Sequence, residues 1–138
     1  MSFQTDIVTI LNADSSLNKM ISKGKPFSPV TGGIYFEIYP VNADLNKNWL
    51  LFNYRENERT NVLGSKNVLT YYSFYIKVIS RDQVDLLQIS DEANRYLSNY
   101  QDNHVLNIDY VADDHQNGET EDARDIFQNI IEYRIAYI

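Results

Sequence analysis

Between Thr70 and Tyr100 the chain changes its hydrophobic period from that of a strand to that of a helix, with no proline or glycine in between. In TYYSFYIKVIS, Tyr72, Phe74, Ile76 and Val78 fall on one side of an extended chain, and Tyr71, Ser73, Tyr75 and Lys77 on the other. Such alternation of aromatic and β-branched residues is the pattern of a sheet strand. In RDQVDLLQISDEANRYLSNY the apolar residues Leu86, Ile89, Ala93, Tyr96, Leu97 and Tyr100 instead form one helical stripe. Ser80 or Asp82 can cap that helix, since a short side-chain oxygen accepts a free first-turn N–H, and Asp82 and Asp85 suit the positive end of its dipole. A strand running directly into an amphipathic helix must bury its apolar face under that helix, so the rest of the chain has a sheet to join.

Taken in order, Ser2 to Ile21 reads as helix, with Phe3, Ile7, Ile10 and Leu11 as its stripe. The run Asn12–Ser16 competes with the helical backbone for hydrogen bonds, which predicts a break there and a second short helix over Ser16–Ile21. The stretch SKGKPFSPVTGG (Ser22–Gly33) is punctuated by proline and glycine and reads as a connector. Strands are expected over Ile34–Tyr39, ended by Pro40, and over Trp49–Arg55, with the polar Val41–Lys47 between them. In the second, Leu50, Phe52 and Tyr54 oppose Trp49, Leu51, Asn53 and Arg55.

The polar Glu56–Asn67 joins two good strands and is longer than a usual hairpin loop. It either connects them or continues them outward as an arm, for which Glu56, Asn57, Glu58, Arg59, Thr60, Asn61, Val62 and Leu63 are the candidate residues. After the helix, His104–Val111 alternates again, with Val105, Asn107, Asp109 and Val111 opposite Leu106, Ile108 and Tyr110. Ala112–Ala123 reads as an acidic loop turning at Gly118. Ile126–Tyr137 is the last strand, with Phe127, Ile131, Tyr133, Ile135 and Tyr137 on one face and Asn129 interrupting them. Its other face carries Gln128, Glu132 and Arg134, and is either wet or covered by another subunit. The expected fold is one α+β domain over residues 1–138, a mostly antiparallel sheet with two main helices packed on one face.

The 138 residues suffice to bury about 68% of the unfolded surface without metal or disulfide staples. The absence of cysteine excludes a disulfide framework and thiolate metal sites. With 12 basic and 19 acidic residues the formal charge is −7, which disfavours binding to phosphate backbones. No apolar run is long enough to span a membrane, and no secretory leader opens the chain. Eleven tyrosines against one tryptophan suit sheet faces and also interfaces.

Catalytic signatures are weak. Asp113, Asp114 and His115 lie near Glu119, Glu121, Asp122 and Asp125, but lack the spacing of a calcium loop. They read as solvated residues, and no metal is expected. His104 stands without a nucleophile signature, and Gly32–Gly33 is too short to be a phosphate loop. The hydroxyl-rich Tyr71, Ser73 and Tyr75 face could line a small-molecule pocket, or equally meet a neighbouring chain. No cofactor is expected.

The order of these elements resembles the tail-completion or tail-terminator proteins of long-tailed bacteriophages over nearly the whole chain. The likeness is carried by the opening IVTILNADSSLNKMI, the GGIYFEIYP strand, WLLFNY, the YYSFYIKVIS strand entering RDQVDLLQISDEANRYL, and the closing IFQNIIEYRIAYI. The longer SKGKPFSPVT connector and the wealth of tyrosine depart from it. What the resemblance implies is a non-enzymatic virion protein that caps the tail tube as a ring, a hexamer, and halts its growth. Its partners would be its own copies, the tail tube protein and the head-completion or connector protein, with DNA only as passing cargo and no membrane. It would assemble in the host cytoplasm and end in the tail or neck of the virion. On that reading Asp113, Asp114, Glu119, Glu121 and Asp122 are expected on a loop near the channel or tube, and the Glu56–Asn67 arm on a neighbouring subunit or the tube. Two alternatives stand beside it. One is a neck or head-completion adaptor of the same particle; the other is a small-molecule-binding or enzymatic domain using the tyrosine face.

Overall fold

The computed structural model describes residues 3–22, 33–36, 48–61, 68–119 and 125–138. Within them lie α1 (Phe3–Ala13), α2 (Ser15–Ser22), β1 (Gly33–Phe36), β2 (Trp49–Asn61), β3 (Val68–Ser80), α3 (Gln83–Ser98), β4 (Val105–Glu119) and β5 (Asp125–Tyr137). The strands form one sheet in the order β1-β2-β3-β5-β4. The strand-to-helix stretch becomes β3 and α3, and β3 takes the middle of that sheet. β1 runs parallel to β2, and every other pairing is antiparallel, so the expected α+β, mostly antiparallel architecture is the observed one.

All three helices lie on one face. Phe74, Ile76 and Val78 of β3 are buried there with Leu50 and Phe52 of β2 and Ile131, Tyr133 and Ile135 of β5. Onto them pack Phe3, Ile7, Ile10 and Leu11 of α1, Leu17 and Ile21 of α2, and Leu86, Ile89, Ala93 and Leu97 of α3. The stripes foreseen for α1 and α3 are thus the buried ones, and Tyr96 adds a hydrogen bond from its Oη to the Ile10 carbonyl (2.8 Å). Phe3 sits in an aromatic nest, stacked on Tyr72 at 3.8 Å and edge-on to Tyr54 at 4.9 Å and Tyr137 at 5.2 Å.

The caps are made by short polar side chains. Asp14 separates α1 from α2, its carboxylate accepting from the Ser16 N–H at 3.2 Å. Asp82 caps α3 by accepting from the N–H groups of Val84 and Asp85. Ser80, the other cap candidate, supports it, its Oγ accepting from the Asp82 N–H (3.0 Å) and donating to Asn48 Oδ1 (2.6 Å). Asn48 in turn donates to the Met20 carbonyl and to Asp85, so one buried amide ties α2, β2, β3 and α3 together.

Three expectations change. β2 does not stop at Arg55 but runs to Asn61, past a bulge at Asn57, with Val68–Tyr72 as its partner. Ala112–Glu119 is not loop but the outer half of β4, paired to β5 as far as Glu119↔Asp125. The simple alternation expected for His104–Val111 is broken by bulges at Leu106 and Val111. Each bulge adds one unpaired residue and so shifts the later residues to the opposite face, putting Val105 and Ile108 together in the core. The first strand is described over Gly33–Phe36; Glu37–Tyr39, Pro40, the Val41–Lys47 segment, most of Ser22–Gly33 and the cap candidate Ser2 lie outside the described residues.

Candidate functional site

The sheet has two faces, and among the described residues only one carries helices. Along β3 the open face presents Tyr71, Ser73, Tyr75, Lys77 and Ile79, flanked by Leu51 and Asn53 of β2 and by Ile130, Glu132 and Arg134 of β5. At one end of this face Trp49, Leu51, Ile79 and Ile126 make a second apolar cluster, separate from the main core. Beside it lies a shallow hollow of about 410 Å³ lined by Leu51, Phe52, Asn53, Tyr75, Lys77 and Ile130. At the other end the Arg134 guanidinium rests 4.1 Å above the Tyr71 ring, and Asn57, at the bulge, donates to Ser73 Oγ at 2.5 Å. The face is therefore mixed, apolar at the end where Trp49, Leu51, Ile79 and Ile126 cluster and more polar towards Tyr75 and Tyr71, which stand among Asn53, Glu132, Ser73 and Arg134. Of Tyr71, Ser73 and Tyr75, the residues foreseen for a pocket, only Tyr75 lines this hollow; among the described residues its polar lining is Asn53, Tyr75 and Lys77, fewer convergent groups than usually fix a small ligand's orientation.

The two ends of the sheet differ from its faces. Thr70 and Val105 both pair at the level of Tyr137, and among the described residues only β2 and β3 continue beyond Thr70, through Thr60↔Leu69 and Asn61↔Val68. Ser80 pairs with Phe127, and among the described residues only β4 and β5 continue beyond it, through Gly118↔Ile126 and Glu119↔Asp125. Two antiparallel pairs thus extend from opposite ends. The candidate arm forms the first: Glu56 to Asn61 are in β2, whereas Val62 and Leu63 lie outside the described residues. Arg59 holds the Glu56 carboxylate through Nε at 2.9 Å, but both side chains are largely exposed, and such pairs add little stability.

Of the acidic candidates, the described ones, Asp113, Asp114 and Glu119, are strung along the outer half of β4. β4 is an edge strand, and Asp113 and Asp114 are neighbours on it, facing opposite sides of the sheet with Ile131 and Ile130 as their partners. Asp109, Asp113 and Asp114 are exposed; acids and bulges on a long edge are what keeps it from pairing with stray strands. Glu119 pairs near the end of the β4–β5 ladder, and Glu121 and Asp122 lie outside the described residues. Tyr110 donates to Asp113 Oδ1 at 2.5 Å, and that bond, more than burial, raises the phenol above its usual pKa.

His115 Nε2 stands 3.6 Å from Asp113, and Ser90 lines the same cleft. A nucleophilic triad needs the serine hydrogen-bonded to the histidine, yet Ser90 Oγ makes no hydrogen bond. His104, the other histidine, is exposed and holds the Ile138 carbonyl through Nδ1 at 3.1 Å. Among the described residues no three His, Cys, Asp or Glu side chains gather as a metal site, and no helix is long and apolar enough to cross a membrane. Sequence reasoning passed over Ser90 and Asn129, which line this cleft; the one available signal was Asn129 standing in the apolar row of β5.

No protein-family model matches the sequence, and no curated protein matches it. Among solved structures, a chain from the virion of a native gene transfer agent particle has a similar fold, with a TM-score of 0.63 over 99% of this chain and 94% of that one, at 13% identity. At that identity the likeness is one of fold.

Proposed function

We propose that this chain is a structural protein of a phage-like particle, one that closes the tail tube as a ring of its own copies and forms the joint to the head connector. The observation that carries the reading is the likeness of fold, over nearly all of both chains, to a component of a virion. The resemblance of the sequence to the tail-completion proteins points to the same class of particle.

The geometry fits a joint in three respects. A closed ring of identical subunits needs two unlike surfaces that meet head to tail. The aromatic open face offers one, and the helical side the other. A joint also has a different neighbour at each end, and the β2–β3 and β4–β5 pairs extend from opposite ends of the sheet. Finally, DNA must pass without sticking. The net charge is −7, and Glu119, at the end of the β4–β5 ladder, is close in sequence to Glu121 and Asp122. Such charge repels phosphates where that end of the sheet faces the channel. The role so read is architectural and needs no cofactor.

The test is mass in solution by light scattering across a concentration series, with and without purified tail tubes, followed by negative-stain imaging. Rings, or monomers that add only to tube ends, are expected. A monomer indifferent to tubes at every concentration sinks the capping role. A ring that binds connectors but not tubes replaces it with the neck-adaptor role. Shortening the Glu56–Asn67 segment should abolish ring formation or capping, and an unimpaired variant would exclude that segment from the contact.

A further inference from the structure

We infer that the open face of one copy receives the outward ridge of α3 from the next, with the guanidinium groups of Arg55 and Arg134 closing on the Asp91 carboxylate. The inference rests on the ring reading and names the two surfaces that would meet in it.

The ladder sets Arg55, Ser73 and Arg134 side by side across β2, β3 and β5. Both arginines are exposed. Among the described residues neither is held by a carboxylate, whereas Arg59 and Arg95 are held by Glu56 and Glu92. Arg55 donates from Nε to Asn57 Oδ1 at 3.2 Å, and Arg134 lies over the Tyr71 ring. Asp109, opposite Arg134 on β4, accepts instead from Asn107 at 3.1 Å. From Trp49 to Arg55, and across from them on β3 and β5, the charged residues of this face are Arg55, Lys77, Arg134 and Glu132. A chain with 12 basic and 19 acidic residues thus sets three cations against one carboxylate here, an excess that an anionic partner would balance. Four residues before each arginine the same strands carry Leu51 and Ile130, which line the hollow. An apolar row therefore lies about 13 Å from the basic one.

The ridge of α3 has the same order. Val84 and Leu87 are 61% and 43% exposed, and Asp91 is exposed beyond them. Spacings of three and four residues put all three on one side of the helix, over about 10 Å. Arg95, one turn further on, is bound to Glu92 rather than to Asp91. Two aliphatic side chains followed by a carboxylate thus match an apolar row followed by two guanidinium forks, which suit a carboxylate better than an ammonium does. The long arginine stems absorb the difference in length. The occupant is a second copy because ridge and row lie on opposite sides of one chain. Each contact then leaves one ridge and one row for further copies, the condition for a head-to-tail ring. A phosphate backbone fits less well, since Glu132 stands between the two rows and the net charge of −7 opposes its approach.

The test is sedimentation velocity of the whole chain across a concentration series, with and without purified tail tubes. An arginine variant (Arg55→Glu with Arg134→Glu) and a ridge variant (Asp91→Arg) alter exposed residues, and urea unfolding checks that each keeps its stability. Either should weaken self-association by roughly tenfold or more. Arg55→Gln with Arg134→Gln, which adds no charge, should show the same loss in smaller measure. Mixed one to one, the arginine and ridge variants should form a pair and stop there, because only the ridge of the first and the open face of the second are intact. All three changes in one chain should restore assembly with the charges exchanged. Rings that form as before in either variant overturn the inference and leave the ring reading standing, and so does a mixture that makes no pair. Assembly through this contact that ignores tubes keeps the inference and removes the capping role. A chain that stays monomeric at every concentration, with or without tubes, overturns both. Duplex DNA bound by the parent chain and lost in the arginine variant, with self-association unchanged, would assign the row to phosphate and overturn the inference as well.

Discussion

β3 presents the same alternation to both sides of the sheet, yet its two sides have different fates. Phe74, Ile76 and Val78 are fully buried beneath the helices, whereas on the other side Tyr71, Tyr75 and Lys77 are half-buried and Ser73 and Ile79 are buried. The tyrosines divide accordingly. Tyr54, Tyr72, Tyr133 and Tyr137 pack their rings into or against the core. Three of them send hydroxyls to its margin: Tyr54 reaches Gln4, Tyr133 reaches Asn94 and Tyr137 reaches Asp6. Tyr71 and Tyr75 stand on the open face. Composition counts both groups alike. What separates them is the face on which they stand, so one group is a matter of folding and the other, on the proposed reading, of assembly.

The largest expected contrast is between neighbours. Phe74→Ala should cost about 3–5 kcal/mol, since a large buried side chain leaves a cavity that the sheet cannot close. Tyr75→Ala, one residue on, should cost no more than about 1–2 kcal/mol, measured by urea unfolding. Equal losses would mean that the open face is as much a part of the folded core as the helical one. Next comes Phe3→Ala, which empties the nest formed by Tyr54, Tyr72 and Tyr137 and should cost about 3 kcal/mol. It should also raise amide exchange along α1 more than along α3, because Phe3 fastens the start of α1 to the sheet.

Much of this division was legible and some was not. The helical stripes, the odd–even split of β2, β3 and β5, and the mostly antiparallel sheet all come from short-range periodicity, which burial on one face imposes directly. The outer half of β4 was hidden because ADDHQNGE has the composition of a solvated loop. Asp113, Asp114 and His115 are held in a strand by the ladder to Ile131, Ile130 and Asn129, and local propensity yields to that tertiary pairing. Bulges are equally silent. Nothing in Leu106 or Val111 announces an extra residue, yet each reverses the facing of the residues after it. The arm was half visible, because Glu56–Asn61 are polar on both sides and carry no alternation. The cleft lined by Ser90 and Asn129 needed the packing of α3 across β5, which no window of sequence contains.

A smaller effect separates the faces by pH. Burial is the main reason the Tyr133 phenol ionises well above its ordinary value. An unfolded tyrosine titrates near about 10. Because the folded value is the higher, the stability held in the neutral phenol is complete below pH ~10. It is lost as pH rises from there towards the folded value, the unfolded state giving up its proton first. Tyr133→Phe should cost about 1 kcal/mol at neutral pH by removing the bond to Asn94, and should make unfolding free energy fall less steeply above pH ~10. An unchanged alkaline slope would place the sensitivity at the half-buried Tyr137 or Tyr100 instead, whose phenols are also raised, chiefly by burial.

The smallest effect on folding is expected where the effect on assembly is greatest. Ile130 lies on the open face, half-buried at the wall of the hollow beside Tyr75 and Lys77. Ile130→Glu puts a carboxylate where solvent already reaches, so unfolding free energy should change by less than about 1 kcal/mol. Apposed to another subunit the same carboxylate would be desolvated without a fixed partner, a cost of several kcal/mol per contact. Each subunit of a ring repeats that cost, so ring formation should fail in a variant whose monomer is sound. A variant that assembles normally would show that the open face is left to water, and would move the subunit contacts to the edges and the helical side.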